Sequence, residues 1–167
     1  MPPVSHCAGA HWRLGLHTEN KIAICGNIDR IFSLASAVEE WPRLLPHYRW
    51  VKVISGTAHD RIVEMAAHRD GFPVWWVARQ RLDPAKHQIH FTHVRGISRG
   101  MEVTWFLEAN GPLVHVNIVH TLTLPWPLIG RFMADVVIGR LFVSNIANKT
   151  LRVIKDHIEH HSHRAIC

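Results

Sequence analysis

Between residues 48 and 124 the chain repeats one local pattern six times, and this repetition limits its possible folds more than any other feature. Each repeat is a run of 8 to 12 residues rich in Val, Ile, Trp, Phe and Thr, which favour strands. The runs are YRWVKVIS, DRIVEMAAHR, PVWWVARQRL, HQIHFTHVR, GMEVTWFLEA and LVHVNIVHTLTL. The segments between them are turn-sized, and each contains Gly or Pro. Connections this short join antiparallel neighbours, so the sequence predicts an antiparallel sheet.

The segments on either side of these runs complete the predicted order of elements. Residues 16–24, LHTENKIAI, are predicted as a first strand. Asn27 caps a short helix, and residues 38–46, VEEWPRLLP, form a second short helix that ends at a proline. Residues 128–160 then follow one helical period, with apolar and small side chains on one face: Met133, Val137, Leu141, Ser144, Ala147, Leu151, Ile154 and Ile158.

The predicted fold class is therefore α+β, with a seven-stranded antiparallel sheet wrapped around a long C-terminal helix and two short helices after the first strand. We assign residues 16–160 to this single domain, residues 1–15 to a flexible N-terminal lead and residues 161–167 to a His-containing tail. The chain has 167 residues, of which 47% are hydrophobic, so it is too apolar to be disordered. The interior of such a fold is either filled by side chains or holds a cavity for an apolar ligand.

Charge and cysteine usage limit the partners and the compartment. The net charge is +6, but Lys and Arg are scattered along the chain, so no nucleic-acid partner is expected. Cys7, Cys25 and Cys167 form no CxxC pair, which predicts unremarkable thiols in a reducing compartment. The N-terminus lacks a signal peptide, and the most apolar later stretch, residues 125–147, contains charged residues. A cytoplasmic protein without a transmembrane helix is expected.

One segment of the chain is similar to a known family. The run NKIAICGNIDRIFSLASAVEEWPRLLPHYRWVKVI contains a WP pair at Trp41 and Pro42, followed by Pro46, Tyr48 and Val51. Further along stand Arg79, the LDP turn at residues 82–84, Ile89, Gly96 and Trp105. From residue 18 to 159 this order resembles the START-like helix-grip superfamily (SRPBCC, Bet v 1-like), in its polyketide cyclase/dehydrase and coenzyme Q-binding branch. The RGIS turn at residues 95–98 and the GPLVHV start of the last strand depart from the branch pattern.

The resemblance implies a hydrophobic cavity between the sheet and the C-terminal helix, and it names some of the residues around it. Cyclase-like relatives have a pocket arginine on the fourth strand-like element, where Arg79 or Arg81 matches it, and a pocket tyrosine where Tyr48 stands. On the strand of residues 74–82, composition alone would turn one face inward, namely Val74, Trp76, Ala78, Gln80 and Leu82, whereas the resemblance would turn the face with Arg79 and Arg81 inward, so the inward face stays open. We expect the ligand-binding residues to be Trp41, Tyr48, Trp75, Arg79, Arg81, Trp105, Met133, Val137, Leu141 and Ser144.

Histidine clusters provide the only metal-like spacings. In a strand, the HxxHxxH spacing of residues 87–93 places the middle histidine on the opposite face from the other two, and His157, His160 and His161 are predicted as a solvated helix end. The chain contains no GxSxG, P-loop, HExxH or GxGxxG motif. We therefore expect neither a metal nor a cofactor.

The sequence supports two hypotheses for function. In the first, the protein binds a hydrophobic small molecule, such as a lipid, an isoprenoid quinone or a polyketide, and Tyr48 and the arginines orient its polar end. In the alternative, it is a polyketide aromatase/cyclase that catalyses aldol ring closure and dehydration with Arg81 and Tyr48. The apolar and basic residues near Trp126 also predict a peripheral membrane contact. The oligomeric state stays open.

Overall fold

A computed structural model describes residues 14–69, 72–96, 98–124 and 144–162. The strands are β1 (Leu14–Cys25), β2 (Tyr48–Gly56), β3 (Asp60–Arg69), β4 (Phe72–Asp83), β5 (Gln88–Gly96), β6 (Met101–Asn110) and β7 (Leu113–Leu124). The helices are α1 (Ile28–Ser36), α2 (Trp41–Leu44) and α3 (Ser144–Ser162), and a 3-10 turn at Val38–Glu40 precedes α2. Each of the six strand-like runs is a strand.

The seven strands form one antiparallel sheet in the order β1-β7-β6-β5-β4-β3-β2. Consecutive strands from β2 to β7 are neighbours because their connections are short, and β1 pairs with β7 along its whole length. The inner face of the sheet carries most of the core, and α3 lies against it with Ala147, Leu151, Ile154 and Ile158 buried. The predicted helix-grip arrangement is confirmed.

The two short helical segments position the start of β2. Asn27 caps α1, since its side-chain oxygen accepts a hydrogen bond from the backbone N–H of Arg30 at 3.0 Å. Pro42 lies in the first turn of α2, where its missing N–H costs no hydrogen bond. The backbone N–H of Tyr48 donates to the carbonyl of Leu45, so β2 begins directly after α2. Trp41 and Tyr48 are thereby brought side by side.

An irregularity between β4 and β5 decides which side chains of β5 face inward near its end. Val77 pairs with Arg95 and Ala78 with His93, so Val94 is an extra residue on β5. Gly96 follows with a φ of +94°, and a Cβ there would lie 2.5 Å from the carbonyl oxygen of Trp75. Glycine is therefore required where the β5–β6 turn meets β4.

At the opposite end of β3 and β4, a polar cluster joins α1 to the sheet. We call it the Arg61 network. The guanidinium of Arg61 donates to Glu39 at 2.8 and 3.0 Å, to the side chain of Gln80 at 2.7 Å and to the carbonyl of Ser36 at 2.9 Å. Gln80 is fully buried and donates to the same carbonyl at 2.9 Å. Every member of the network therefore has a partner, as buried polar groups require.

The structure bears on two expectations, one about the state of the cysteines and one about transmembrane helices. Cys25, the last residue of β1, is disulfide-bonded. The prediction of three unremarkable thiols is wrong for this residue, and the argument for a reducing compartment loses its support. Within the described parts of the chain, no helix combines the length and the apolar character that crossing a bilayer requires.

Candidate functional site

A cavity lies between the inner face of β2–β7 and the first turns of α3. The space inside it that the centre of a water-sized sphere can occupy is about 70 Å³. One water needs only about 10 to 15 Å³ by the same measure, so side chains do not fill this part of the interior. The helix contributes Ile146, Ala147 and Thr150 to its lining. Ala147 belongs to the helix face predicted from the sequence, and it lines the cavity.

Aromatic rings form one wall of the cavity. The centroid of the Trp41 ring lies 5.0 Å from that of Tyr48, 5.9 Å from that of Trp105 and 6.4 Å from that of Phe91. Tyr48 also contacts Trp76, with ring centroids 6.2 Å apart. All five side chains are buried and line the cavity. The structure thus brings together Trp41, Tyr48 and Trp105 as expected. Trp76 was not among the expected ligand-binding residues, yet it lines the cavity.

The structure resolves the orientation of β4, which alternation left open. Trp76, Ala78 and Gln80 face inward, whereas Trp75 is 49% exposed. The other strand face carries the two arginines on the outside of the sheet.

Arg79 and Arg81 therefore do not reach the cavity. The guanidinium of Arg79 donates to the exposed carboxylate of Asp60 at 2.7 Å, and Arg81 is exposed. Their placement, and that of Trp75, corrects the expectation that these side chains line the cavity. The physical reason is that an unpaired buried guanidinium is costly, and the outer face offers both Asp60 and water. The inward position between the two arginines belongs to Gln80, which the Arg61 network already holds.

Tyr48 is buried, and Thr150 on α3 lines the same cavity. The hydroxyl of Thr150 lies 3.0 Å from Nε2 of His47, so these two polar groups pair beside the cavity. Burial raises the pKa of Tyr48 well above its usual value of 10.0. The phenol therefore stays protonated at neutral pH and can hydrogen-bond to a ligand.

A second set of polar side chains around the cavity comes from β5, β7 and the β5–β6 turn. Nδ1 of His93 lies 2.6 Å from the hydroxyl of Ser98, and the ring of His93 stacks on Trp76 with an interplanar angle of 4°. His120 on β7 lines the same cavity, and its Nδ1 has no hydrogen-bond partner among the described residues. Together, His93, Ser98 and His120 are called the imidazole cluster below.

Both imidazoles are neutral at physiological pH. Burial lowers the pKa of His93 from 6.5 to about 3. Burial, and to a smaller extent the neighbouring His93, lower the pKa of His120 to about 3. The sequence signal for His93 is alternation, since Ile89 and Phe91 are inward and His93 is the next residue on that face. His90 points to the other face, where its Nδ1 lies 3.2 Å from the hydroxyl of Thr104.

Some predicted site residues lie outside the described part of the chain. These are Met133, Val137, Leu141 and the membrane-contact residue Trp126. Ser144 is the first described residue of α3. Among the described residues, no group of three or more His, Cys, Asp or Glu side chains is placed to hold a metal ion.

The sheet, the helix packed across it and the aromatic cavity between them define a helix-grip fold. The crystal structure of the Zhui aromatase/cyclase from Streptomyces sp. R1128 is similar, with a TM-score of 0.73 and 16% identity over 89% of this chain and 96% of that one. A START superfamily protein from Mycobacterium smegmatis is also similar, with a TM-score of 0.65 and 13% identity over 87% of this chain and 99% of that one. At these identities the likeness shows the shared fold.

Sequence comparison identifies the family. Residues 25–149 match the family described as polyketide cyclase/dehydrase and lipid transport. A Streptomyces cyaneus protein assigned as a polyketide cyclase is 30% identical over 126 residues, which cover 72% of this chain and 83% of that protein. The chain belongs to the polyketide cyclase/dehydrase and lipid-transport family.

Proposed function

We propose that this protein binds a flat hydrophobic small molecule in the cavity between the sheet and α3. The observation that carries the proposal is an unfilled volume beside five aromatic rings, all of them buried. Aromatic walls suit a planar ligand, because stacked and edge-to-face contacts add to the free energy of burying its apolar surface. That burial contributes roughly 25 cal/mol per Å² of surface removed from water. Lipids, isoprenoid quinones and polyketides all remain within this class.

Mass spectrometry of the purified protein under native conditions is the first test. We expect a bound small molecule whose mass is lost on denaturation and recovered in an organic extract. Protein that carries no extractable molecule and takes up no planar aromatic compound on titration would contradict the proposal.

Two tryptophans on opposite faces of the sheet supply a matched pair of variants. Trp105→Ala removes a ring from the cavity wall and is expected to weaken ligand binding by about tenfold or more, because it opens a hole in the apolar lining. Trp75→Ala removes a ring of the same size from the outer surface and should leave the affinity unchanged. Equal losses in both variants would place the ligand elsewhere.

A second candidate function is ring closure of a polyketide by aldol condensation and dehydration. Two observations favour it: polar groups converge on the cavity, and relatives of the chain are assigned as polyketide cyclases. In that reaction, a carbon between two carbonyl groups loses a proton to a base and attacks a third carbonyl. The resulting alkoxide takes a proton. In the later dehydration, the neighbouring carbon loses its remaining proton, the new hydroxyl takes a proton and leaves as water, and a C=C bond forms. In this candidate function, Tyr48 supplies a hydrogen bond or proton to the carbonyl oxygen and His93 or His120 accepts one; the support is that all three side chains line the cavity.

Tyr48→Phe separates the two functions. If the protein only binds its ligand, the loss of one hydrogen bond should weaken binding by about 0.5 to 1.5 kcal/mol, since the apolar contacts remain. If it is a cyclase, turnover of a poly-β-ketone should fall about 100-fold while binding changes little. Failure of the wild-type protein to cyclise any such substrate would count against the second function alone.

A further inference from the structure

The last residue of β1 takes part in a covalent cross-link. Cys25 is disulfide-bonded, and the chain contains two other cysteines, Cys7 and Cys167, one near each end of the sequence. Both lie outside the described residues. The length of chain between each of them and the described fold decides which one can pair with Cys25.

Cys25 lies against the C-terminal turns of α3. Its backbone N–H donates to Oε1 of Glu159 at 2.9 Å. The next residue, Gly26, is so close to the helix that a Cβ there would lie 2.8 Å from Cγ2 of Ile158. The end of β1 and the end of α3 are therefore in direct contact.

The C-terminal end of the chain is long enough to span the remaining distance. The helix is described as far as Ser162, three residues after Glu159, and Cys167 follows five residues later. Three residues of helix rise only about 5 Å, whereas five extended residues span up to about 17 Å. Since the Cα atoms of a disulfide are themselves about 5.5 to 6 Å apart, Cys167 can pair with Cys25 without moving α3.

The N-terminal end is too short for the same bond. Leu14 and Cys25 are the two ends of β1, and at about 3.3 Å per residue they lie roughly 36 Å apart. Cys7 precedes Leu14 by seven residues, which span at most about 25 Å when fully extended. A disulfide adds at most about 7 Å between Cα atoms, so Cys7 does not reach Cys25 within one chain.

We propose that Cys25 and Cys167 form a disulfide that fastens the C-terminal end of the chain to the end of β1 and so holds α3 against the sheet. The bond forms when the two thiols lose two electrons and two protons to a disulfide oxidant by thiol–disulfide exchange, and a dithiol reverses the reaction. The inference does not depend on the proposed function, because Cys25 is not among the described residues that line the cavity.

The cross-link adds to polar contacts at the same place. Nζ of Lys155 donates to the carbonyl of Ala23 at 2.8 Å and to Oε1 of Glu159 at 2.6 Å. The Lys155 and Glu159 side chains are 33% and 27% exposed, so solvent weakens this ion pair. The disulfide closes a loop of about 140 residues, and a loop of that length strongly restricts the unfolded chain. The larger contribution to the attachment of α3 therefore comes from the covalent bond.

Tryptic mapping without reductant identifies the partner of Cys25. Trypsin cleaves after Lys and Arg, so the three cysteines fall in three different peptides, residues 1–13, 22–30 and 165–167. Free thiols are alkylated before digestion, which prevents exchange. We expect mass spectrometry to find residues 22–30 joined to residues 165–167, and dithiothreitol to separate them. A bond to residues 1–13, an alkylated Cys25 or a disulfide-linked dimer on a non-reducing gel would overturn the inference.

Thermal unfolding measures what the bond contributes. Reduction of the wild-type protein with dithiothreitol should lower the midpoint by roughly 5 to 15 °C, as expected when a long loop is opened in a chain of this size. Cys167→Ser should have the lower midpoint without reductant and should not respond to it. Cys7→Ser is the matched control, and its midpoint should follow that of the wild type under both conditions.

The double variant separates the missing bond from a missing side chain. Cys25→Ser, Cys167→Ser and the variant with both substitutions should unfold at the same midpoint, because each lacks the same cross-link. A further loss in the double variant would contradict the proposed pair, and so would a wild-type midpoint that dithiothreitol leaves unchanged. A loss in Cys7→Ser that matches the effect of reduction would assign the bond to Cys7 instead.

Discussion

The interior of this protein contains two polar clusters that differ in how completely their hydrogen bonds are satisfied. In the Arg61 network, a guanidinium, a carboxylate, an amide and a backbone carbonyl bond to one another. In the imidazole cluster, His93 is paired with Ser98, but Nδ1 of His120 has no partner. The first cluster joins α1 to the sheet, and the second lines a cavity. We call the Arg61 network closed, because each of its polar groups has a partner, and its role is to stabilise the fold. We call the imidazole cluster open, because one of its buried nitrogens has no partner among the described residues and the cluster borders the cavity.

This difference has a consequence for substitution. Breaking the closed network leaves its remaining polar groups buried without a hydrogen-bond partner or water. The free energy of unfolding should therefore fall while the cavity stays intact. Altering the open cluster should have smaller effects on stability and larger effects on binding. Four predictions test this contrast.

The largest effect on stability is expected for Arg61→Met. The substitution removes four hydrogen bonds and leaves the buried Gln80 with one partner fewer, so the free energy of unfolding should fall by about 3 kcal/mol. Urea denaturation followed by circular dichroism measures the change, and ligand affinity below the transition should be that of the wild type. A loss of affinity with unchanged stability would show that Arg61 acts on the cavity.

Acidification should destabilise the imidazole cluster more than the Arg61 network. Burial lowers the pKa of His93 and of His120 below the unfolded value of 6.5, to about 3. The folded state therefore favours the neutral ring, and its stability is fully present above pH 6.5 and is lost as the pH falls towards 3. At pH 5, which is 1.5 units below 6.5, each ring should cost about 2 kcal/mol.

Urea titrations at pH 7.5 and pH 5 measure this loss. His93→Gln should lose about 2 kcal/mol less than the wild type between the two pH values. Glu39 of the Arg61 network should add little: burial raises its pKa, but the hydrogen bonds and charge of Arg61 together with a backbone hydrogen bond outweigh burial and lower the pKa, so the carboxylate stays ionised at pH 5. His115→Gln, at an exposed position, serves as the control. Identical losses in wild type and His93→Gln would mean that His93 is not held neutral.

A smaller effect is expected for Ser98→Ala. The substitution removes one hydrogen bond and leaves Nδ1 of His93 unpaired beside the cavity, so stability should fall by about 1 kcal/mol. A thermal melt monitored by near-ultraviolet circular dichroism detects the shift. A loss as large as that of Arg61→Met would show that the imidazole cluster is as structural as the closed network.

The smallest effect is expected for Arg79→Met, a control for the first prediction. Its guanidinium bonds to Asp60 on the outer face of the sheet, where both side chains are largely exposed to water. Exposed ion pairs contribute little because solvent screens them. The urea curves of Arg79→Met and the wild type should superimpose, and the affinity for ligand should not change. A clear loss of affinity for ligand would show that Arg79 contributes to the binding site.

Much of the fold follows from local patterns in the sequence. Period-two runs separated by Gly- or Pro-containing turns predict each of the strands β2 to β7, and an Asn cap predicts α1. The sequence predicts only some of the residues that line the cavity. Trp41, Tyr48 and Trp105 line the cavity as expected, whereas Trp75 and both arginines lie outside it. The strand PVWWVARQRL carries large apolar residues on both faces, so its alternation does not identify the inward one.

The sequence by itself determined the order of elements and the antiparallel pairing, because short turns and residue periodicity act between neighbours in the chain. Only the tertiary structure decided which polar side chains share the cavity. His93 and His120 are 27 positions apart in the sequence and meet through the register of β5, β6 and β7. Whether a buried imidazole or guanidinium finds a partner depends on groups that distant strands and helices supply, and burial, which local sequence does not encode, sets its charge.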